Sequence, residues 1–275
     1  MQKTILITGS TDGIGLETAK LLAAAGHNVL LHGRNPDKLA KAAKALSALT
    51  KGGSVETYQA DLSRMADVET LAEAVTRQHA RLDVLINNAG VYRTPDPVTA
   101  GGLDIRFAVN AIAPCLLTRR LLPLMQASGR VINLSSAAQA PVDPQALAGK
   151  TALSDGAAYA QSKLALTMWS RSLGLQLKDQ GPVVVSVNPG SMLGSKMVKE
   201  AFGVAGGDLA IGADILRRAA LDTEFAAASG LYFDNDSGRF ADPHPDALDP
   251  RKSGEIVDLV DLIISKLTQE QEQDR

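Results

Sequence analysis

Short runs of apolar residues alternate along the chain with longer segments in which apolar residues recur every three or four positions. The first pattern is typical of strands and the second of helices, so their alternation predicts a parallel sheet wrapped by helices. The runs are mostly unbroken in hydrophobicity, as expected of strands that are covered on both faces. The predicted strands are Thr4–Thr8, Asn28–His32, Val55–Ala60, Val84–Asn87, Arg130–Leu134, Val183–Val187 and Leu231–Phe233.

Residues that favour helix ends mark the segments between these strands. Asn35 before Pro36 is a typical helix start, and Gly26 stands where a left-handed residue would end the first helix. Ser63 is predicted to cap the third helix. A last helix, predicted over about residues 253–267, has one apolar face, made of Ile256, Leu259, Val260, Ile263 and Leu267.

Two segments, Ala137–Asp155 and Phe233–Ser253, lack either pattern and contain several prolines and glycines. Long loops of this kind are usually lids or binding loops, with a surface insertion as the alternative. We expect Ala137–Asp155 and part of Gly194–Asp208 to close over a substrate. The side chains available there indicate an apolar substrate: Leu147, Leu153, Met192, Leu193, Met197 and Phe202. Without an internal repeat or interdomain linker, residues 1–275 are predicted to form one domain.

Composition and charge exclude several classes of function. The chain carries 28 basic and 30 acidic residues, so no basic surplus favours nucleic-acid binding, and 4% aromatic residues are too few for a stacking platform. One cysteine and four scattered histidines form no zinc-like cluster, so no metal site is predicted.

The expected location follows from the N-terminus and from the single cysteine. The first strand begins at Thr4, which leaves no room for a signal peptide, and no run approaches the roughly 18 apolar residues of a membrane span. Cys115 alone cannot form an intrachain disulfide and fits a reducing compartment. We therefore expect a cytoplasmic protein without a membrane span.

A glycine-rich turn, Gly9–Gly15, follows the first predicted strand and opens the first helix. Glycines at such a place allow a tight turn and let backbone N–H groups approach a pyrophosphate at the helix N-terminus. The spacing is Gly-x-x-x-Gly-x-Gly and differs from the Gly-x-Gly-x-x-Gly fingerprint. The turn indicates a dinucleotide site, and a plain turn is the alternative.

Tyr159 and Lys163 are four residues apart in a predicted helix and therefore share one face. A nearby cation should lower the pKa of the phenol from its usual value near ~10, which makes Tyr159 a candidate proton donor and acceptor. A chance pair of this kind is the alternative until its context is considered.

That context comes from polar and small residues that follow successive strands. Asp61-Leu62, Asn87–Gly90 and Ser135-Ser136 all stand at strand ends, and Asn110 lies in the helix after the fourth strand. In an open parallel sheet, ligands bind outside the carboxyl ends of the strands. The sequence therefore predicts one site at this edge.

This ordered set of motifs resembles the short-chain dehydrogenase/reductase family over nearly the whole chain. The long stretch between Ser136 and Tyr159, and Gly230-Leu231-Tyr232-Phe233, are similar to its retinol-dehydrogenase-like branch. The motifs are Gly9–Gly15, Asn87–Gly90, Asn110, Ser135-Ser136, Tyr159/Lys163 and Asn188-Pro189-Gly190. The resemblance implies a Rossmann-type, doubly wound α/β fold of about seven strands with helices on both faces. It also implies a nicotinamide cofactor and hydride transfer to or from a carbonyl or alcohol carbon.

The resemblance implies roles for four side chains. Tyr159 would be the acid/base, Lys163 would tune it and hold the nicotinamide ribose, Ser136 would orient the substrate oxygen, and Asn110 would anchor a water-mediated proton relay. The other residues expected to bind the cofactor are Gly9, Ser10, Thr11, Asp12, Gly13, Ile14, Gly15, Arg34, Asn35, Lys38, Asp61, Leu62, Asn88, Ala89, Gly90, Pro189, Gly190 and Met192.

The same resemblance implies a homodimer or homotetramer, because the family commonly oligomerises through helices in the region of Met168 and Trp169. Core packing of these two side chains is the alternative.

The end of the second strand predicts the choice of cofactor. An NAD-specific site usually has an acidic residue there, whereas this chain has Gly33, followed by Arg34 and then Lys38, whose cations suit a 2′-phosphate. Asp12 in the glycine turn opposes this choice. We expect an NADP(H)-dependent oxidoreductase acting on a small, apolar carbonyl or alcohol; the alternatives are an NAD-linked alcohol dehydrogenase and a non-catalytic NADPH-binding sensor or scaffold.

Overall fold

The apolar runs assemble into one doubly wound sheet. The structure is a computed structural model that describes residues 1–273, with side chains to residue 269, so the last two residues of the expected domain 1–275 lie outside it. Within the described residues, eight strands follow the order β3-β2-β1-β4-β5-β6-β7-β8. They are β1 (Thr4–Ile7), β2 (Asn28–Gly33), β3 (Val55–Gln59), β4 (Val84–Asn87), β5 (Arg130–Leu134), β6 (Val183–Asn188), β7 (Tyr232–Asp234) and β8 (Arg239–Ala241).

The order in which successive strands are added to the sheet reverses between β1 and β4, and such a switch point is where doubly wound folds bind their ligands. Strand β1 pairs in parallel with β2 on one side and with β4 on the other, so that Ile5 lies between Val29 and Val84. Strands β1 to β7 are all parallel, and only β8 runs antiparallel, beside β7. The expected fold class is confirmed.

Helices cover both faces of the sheet. The α-helices of the described residues are α1 (Gly13–Ala24), α2 (Pro36–Ser47), α3 (Met65–Gln78), α4 (Ile105–Phe107), α5 (Ala113–Leu121), α6 (Pro144–Leu147), α7 (Asp155–Leu177), α8 (Lys196–Phe202), α9 (Leu209–Leu221), α10 (Pro245–Leu248) and α11 (Pro250–Gln273). Helices α1, α2 and α9 pack on one face, and α3, α5, α7 and α11 pack on the other, each around its own apolar core. A π-helical turn, Ala108–Ile112, joins α4 to α5.

Most helix ends follow the sequence signals. The Asn35 side chain accepts a hydrogen bond from the Lys38 N–H at 2.9 Å, and Gly26 has φ +86° just after α1. Ser63 does not cap α3, because its hydroxyl donates to Asp61 and the helix begins one residue later than expected, after Arg64. The last helix begins at Pro250 rather than near residue 253, and its predicted apolar face is buried or partly buried.

The two sheet edges differ from expectation. Strand β3 is not unbroken in hydrophobicity, because it forms an edge of the sheet and only Tyr58 among its five residues is buried. The region 233–253, expected to be irregular, contains β8 and α10. Phe240 of β8 packs edge-on against Phe233 of β7, with their ring centroids 5.1 Å apart. A three-residue strand is too short to show a pattern in the sequence.

Helix α11 covers the region where subunit contacts were expected. Met168 and Trp169 are buried in the core that α11 completes with Ile256 and Val260. These two side chains therefore pack within the chain itself, and oligomerisation stays a prediction.

Among the described residues, one helical stretch, Ile105–Leu124, is apolar and long enough to cross a membrane. It is 72% buried within the structure, and the core helix of a soluble protein passes the same test.

Candidate active site

A cleft of about 420 Å³ opens at the carboxyl ends of the strands, beside the point where β1 and β4 diverge. Its fixed wall consists of the glycine turn, the end of β2, the loops after β3, β4 and β5 and the N-terminal part of α7, and α8 forms the opposite wall. The predicted site residues that line it are Gly9, Thr11, Asp12, Gly13, Ile14, Gly15, Arg34, Lys38, Asp61, Leu62, Asn88, Ala89, Gly90, Tyr159, Lys163 and Pro189.

The glycine turn has the geometry of a phosphate cradle. Gly9 has φ +64°, and a Cβ atom there would lie 2.9 Å from the Cα of Ala89, so no larger residue fits. A Cβ on Gly15 would lie 2.5 Å from the Gly9 carbonyl oxygen. The first turn of α1 faces the cleft, and the first N–H groups of a helix have no acceptor within it. The turn therefore fits a pyrophosphate.

Asn88 fixes this cradle to the loop after β4. Its side-chain amide donates to the carbonyl oxygens of Thr8 at 2.8 Å and Gly9 at 3.1 Å, while its own backbone N–H donates to the Thr8 hydroxyl. By contrast, the side chain of the neighbouring Asn87 donates to the Thr118 hydroxyl of α5 and to Asn133 of the adjacent strand β5. One asparagine of the pair thus shapes the site and the other packs behind it.

His32 supports the same cradle and was not identified as a site residue from the sequence. Its Nδ1 accepts the Gly9 N–H at 3.1 Å, which leaves Nε2 to donate to the Ala60 carbonyl at 3.2 Å. Burial lowers the pKa of His32 to about 4, so the ring is neutral at physiological pH. A histidine that ends an apolar strand just before a glycine is usually read as core, and only its position opposite the glycine turn could have indicated this role.

Tyr159 and Lys163 line the other end of the cleft, and Ser136, which shares a hydrogen bond with Tyr159, is not part of the lining. Ser136 follows β5 and its hydroxyl accepts the Ala138 N–H, so its proton is available for another acceptor. Lys163 is buried, donates to the Leu134 carbonyl at 2.7 Å, and has its Nζ 5.6 Å from the Tyr159 ring centroid. Burial lowers the pKa of Lys163 to about 8, which leaves it mostly protonated at pH 7.

The expectation that the surrounding protein groups lower the pKa of Tyr159 is wrong. Burial raises the pKa of the phenol, a hydrogen bond with Ser136 lowers it, and Tyr92 raises it, with a net increase. Lys163 lies over the ring rather than beside the hydroxyl, so burial dominates. Tyr159 therefore carries its proton at neutral pH.

Asn110 stands behind the cleft rather than in its lining. Its Oδ1 accepts the Val91 N–H at 2.8 Å, and its Nδ2 donates to the Val91 carbonyl at 3.0 Å and to the Ser162 hydroxyl at 3.0 Å. The side chain ties the β4 loop to α7, and it lies in the π-helical turn, a distortion frequent at functional sites. The predicted proton relay stays a prediction.

Four other predicted cofactor residues do not line the cleft. Ser10 is buried and bonded to the His32 backbone, and Asn35 caps α2. Gly190, with φ +120°, shapes the turn after β6, and the Met192 side chain is exposed to solvent. Ser10 and Asn35 use their polar side chains to bond the backbone, and Gly190 allows a turn with positive φ. A motif alone does not distinguish these roles from contact with a cofactor.

The two expected substrate loops differ. No residue of Ala137–Asp155 lines the cleft, because α6 lies in this segment, Leu147 is fully buried and Leu153 packs against the core. The second segment does reach the cleft, through Ser195, Lys196, Met197 and Glu200. Its role as a lid stays a prediction.

An aromatic stack at the mouth of the cleft was also missed. The Tyr92 ring lies 5.0 Å from the Tyr159 ring and 5.3 Å from the Phe202 ring, measured between centroids. Phe202 belongs to α8 and is 49% exposed. The stack joins the catalytic end of the fixed wall to α8 and presents apolar surface there. No spacing along the chain links these three residues.

A family model described as short chain dehydrogenase matches residues 3–203. The chain belongs to the short-chain dehydrogenase family. Its curated relatives place it near the retinol-dehydrogenase-like branch of that family. Human retinol dehydrogenase 13 is 37% identical over 193 residues, which is 68% of this chain and 58% of that protein. The chain thus spans somewhat over half the length of that curated relative.

Solved structures agree with this fold. An uncharacterized protein from Mycobacterium paratuberculosis is 25% identical, has a TM-score of 0.77, and is matched over 96% of this short-chain dehydrogenase and 94% of its own chain. Landomycin C-6 ketoreductase LanV, solved with NADP and rabelomycin, is 31% identical with a TM-score of 0.67, and the match covers 85% and 94% of the two chains.

Proposed function

We propose that this short-chain dehydrogenase transfers a hydride between NADP(H) and a carbonyl or alcohol carbon of a small, apolar substrate. The observation that carries the choice of cofactor is the charge at the end of β2. Gly33 stands there in place of an acid, and Arg34 is exposed and lines the cleft. The guanidinium group binds phosphate through a planar fork, which favours the cofactor with a 2′-phosphate. LanV, a relative by structure, was solved with NADP.

Asp12, the acid that opposes the choice of NADP(H), is paired with a cation. Asp12 lies 3.1 Å from the ammonium of Lys38. The hydrogen bond from Lys38, together with those from Gly13 and the charge of Lys196, outweighs burial and lowers the pKa of Asp12. Because Lys38 pairs with Asp12, Arg34 is the cation at the end of β2 that can bond a 2′-phosphate; Asp61 and Lys196 also line the cleft.

The protonation states of Tyr159 and Lys163 give each of them a role in the reduction of a carbonyl. Tyr159 carries a proton at neutral pH and gives it to the substrate oxygen as the carbonyl carbon becomes an alcohol carbon. The nicotinamide, when bound, supplies the hydride that this carbon receives. The Ser136 hydroxyl donates to the same oxygen and orients it. Lys163 keeps a positive charge near the phenolate that remains, and its ammonium would hold the nicotinamide ribose. Oxidation of the alcohol uses the same groups in reverse.

The test of the cofactor choice is Arg34→Ala, with NADPH and NADH binding measured by calorimetry. A charge-assisted phosphate contact contributes about 1.5–3 kcal/mol, so NADPH affinity should fall roughly ten- to a hundredfold while NADH affinity stays nearly unchanged. Arg251→Ala, which removes an exposed arginine on α11, is the matched control. Equal losses for both cofactors, or tighter NADH binding by the wild type, would contradict NADP(H).

The enzyme assignment is tested with a panel of carbonyls and alcohols and both cofactors, by following nicotinamide absorbance. We expect the apolar carbonyls and alcohols of this panel to be turned over with NADP(H). Tight NADPH binding without turnover of any member would favour the sensor or scaffold instead.

A further inference from the structure

A buried arginine links two helices that carry site residues. Arg106 in α4 is 1% exposed and reaches two carboxylates. Its Nε donates to Asp104 Oδ1 at 2.8 Å and its Nη2 to Asp104 Oδ2 at 2.5 Å, while its Nη1 donates to Asp155. Burial lowers the pKa of Arg106, but the two carboxylates outweigh burial and raise it. The guanidinium is therefore charged, and its Nε, Nη1 and Nη2 atoms all donate to carboxylates.

The position of these residues relates them to the catalytic set. Arg106 stands four residues before Asn110, and Asp155, the first residue of α7, stands four residues before Tyr159. Residues four apart on a helix lie one above the other on the same face. The Arg106–Asp155 pair is therefore about one turn before the hydrogen bond between Asn110 and Ser162 on the Arg106 side, and about two turns before it along α7.

Two links at different heights along α7 connect it to the segment that carries Arg106 and Asn110. The Asn110–Ser162 bond lies within the buried core, and the charged Arg106–Asp155 link holds the N-terminal end of α7, the end nearer to Tyr159. Asp155 also suits its place, because a carboxylate in the first turn of a helix is stabilised by the helix dipole. Arg93, which lines the cleft, holds the outer oxygen of Asp155 at 3.2 Å.

We propose that Arg106 is a positioning residue, which sets α7 against the π-helical turn through Asp155 and so holds the Tyr159 phenol in its reactive place. This inference rests on the proposed function, because it assigns Tyr159 the proton transfer. A lysine cannot replace the arginine, since a single ammonium cannot bond both carboxylates in a fixed fork. Small displacements of a reacting group reduce the rate strongly, even when the substrate still binds.

The test compares Arg106→Lys, which keeps the charge, with Asp155→Asn, which keeps the shape of a partly exposed side chain. We expect kcat to fall about ten- to a hundredfold in both, while the Kd of NADPH and the KM of the carbonyl change less than about threefold. The double variant should fall no further than the worse single variant, because both changes break one link. The matched control is Asp246→Asn, which removes an ion-paired carboxylate in the first turn of α10, away from the cleft.

A second measurement does not depend on turnover. The ¹³C resonance of the Tyr159 ring carbon that bears oxygen, assigned with Tyr159→Phe, should move and titrate at a changed pH in both Asp155→Asn and Arg106→Lys, but not in Asp246→Asn. Folded variants with wild-type kcat and an unmoved resonance would overturn the proposal, as would losses of kcat that merely parallel a falling Tm and a weakened NADPH Kd. If the wild type itself turns over no carbonyl, the proposed function fails, and the resonance alone then decides whether Arg106 positions Tyr159.

Discussion

The two walls of the cleft are built in different ways. Around the glycine turn, the fixed wall is held by hydrogen bonds that converge on the Gly9 backbone from His32 and Asn88. The opposite wall, α8 with its flanking turns, is held mainly by backbone bonds between its own ends, such as Gly194 N–H to the Gly207 carbonyl at 2.7 Å. Its large side chains Phe202 and Met192 are exposed.

This difference indicates that the fixed wall serves the cofactor and that the α8 wall serves the substrate. A wall whose polar groups bond one another keeps one geometry, which suits the part of the cofactor that every reaction uses. A wall with few bonds to the rest of the fold and with exposed apolar side chains can accept substrates of different shape. Changes in the fixed wall should therefore alter chemistry, stability and cofactor binding, and changes in α8 should alter substrate affinity alone.

The largest expected effect is in the fixed wall. Tyr159→Phe keeps the ring and its packing against Tyr92 but removes the transferable proton. Turnover should fall about 10²–10⁴-fold, the usual contribution of a general acid, while NADPH affinity stays within a few-fold. Steady-state kinetics and calorimetry measure the two quantities. Activity within a few-fold of the wild type would remove Tyr159 from its assigned role.

A smaller effect is expected from the support of the cradle. His32→Ala removes the acceptor of the Gly9 N–H and the donor to the Ala60 carbonyl, and both partners stay buried. The free energy of unfolding should fall by about 1–3 kcal/mol, and NADPH binding should weaken with it. The matched control is His244→Ala, which also removes an imidazole that accepts a backbone N–H, but on α10.

The same histidine predicts a pH dependence. The pKa of His32 is about 4 in the folded protein and near 6.5 in the unfolded chain, so the unfolded chain binds more protons between these values. Stability should therefore fall as the pH falls from about 6.5 to 4, and His32→Ala should lose this part of the slope. Denaturant unfolding across this range measures it. An unchanged slope in the variant would show that other groups cause the acid sensitivity.

The sequence predicted the glycine turn and the strand ends well and the contacts between distant segments poorly, for physical reasons. Glycines that require a positive φ, such as Gly9, and strands that are apolar throughout leave local signals. The contacts of His32, Arg106 and Phe202 join segments far apart in the chain, so no local pattern contains them. Ala137–Asp155 shows the same limit: its prolines and glycines indicate a loop, but they do not show that it contains α6 and that Leu147 is buried.

The smallest expected effect tests α8. Phe202→Ala removes a half-exposed ring that contacts Tyr92, so the free energy of unfolding should change by less than about 0.5 kcal/mol. A substrate that packs against this ring loses apolar contact, and its KM should rise by roughly threefold to tenfold, or about 1 kcal/mol, with kcat and NADPH affinity unchanged. The rise should grow with the apolar size of the substrate. The control is Leu248→Ala, which truncates a somewhat less exposed apolar residue on α10. A destabilisation as large as that of His32→Ala would show that α8 is as firmly held as the fixed wall, and the contrast between the two walls would be wrong.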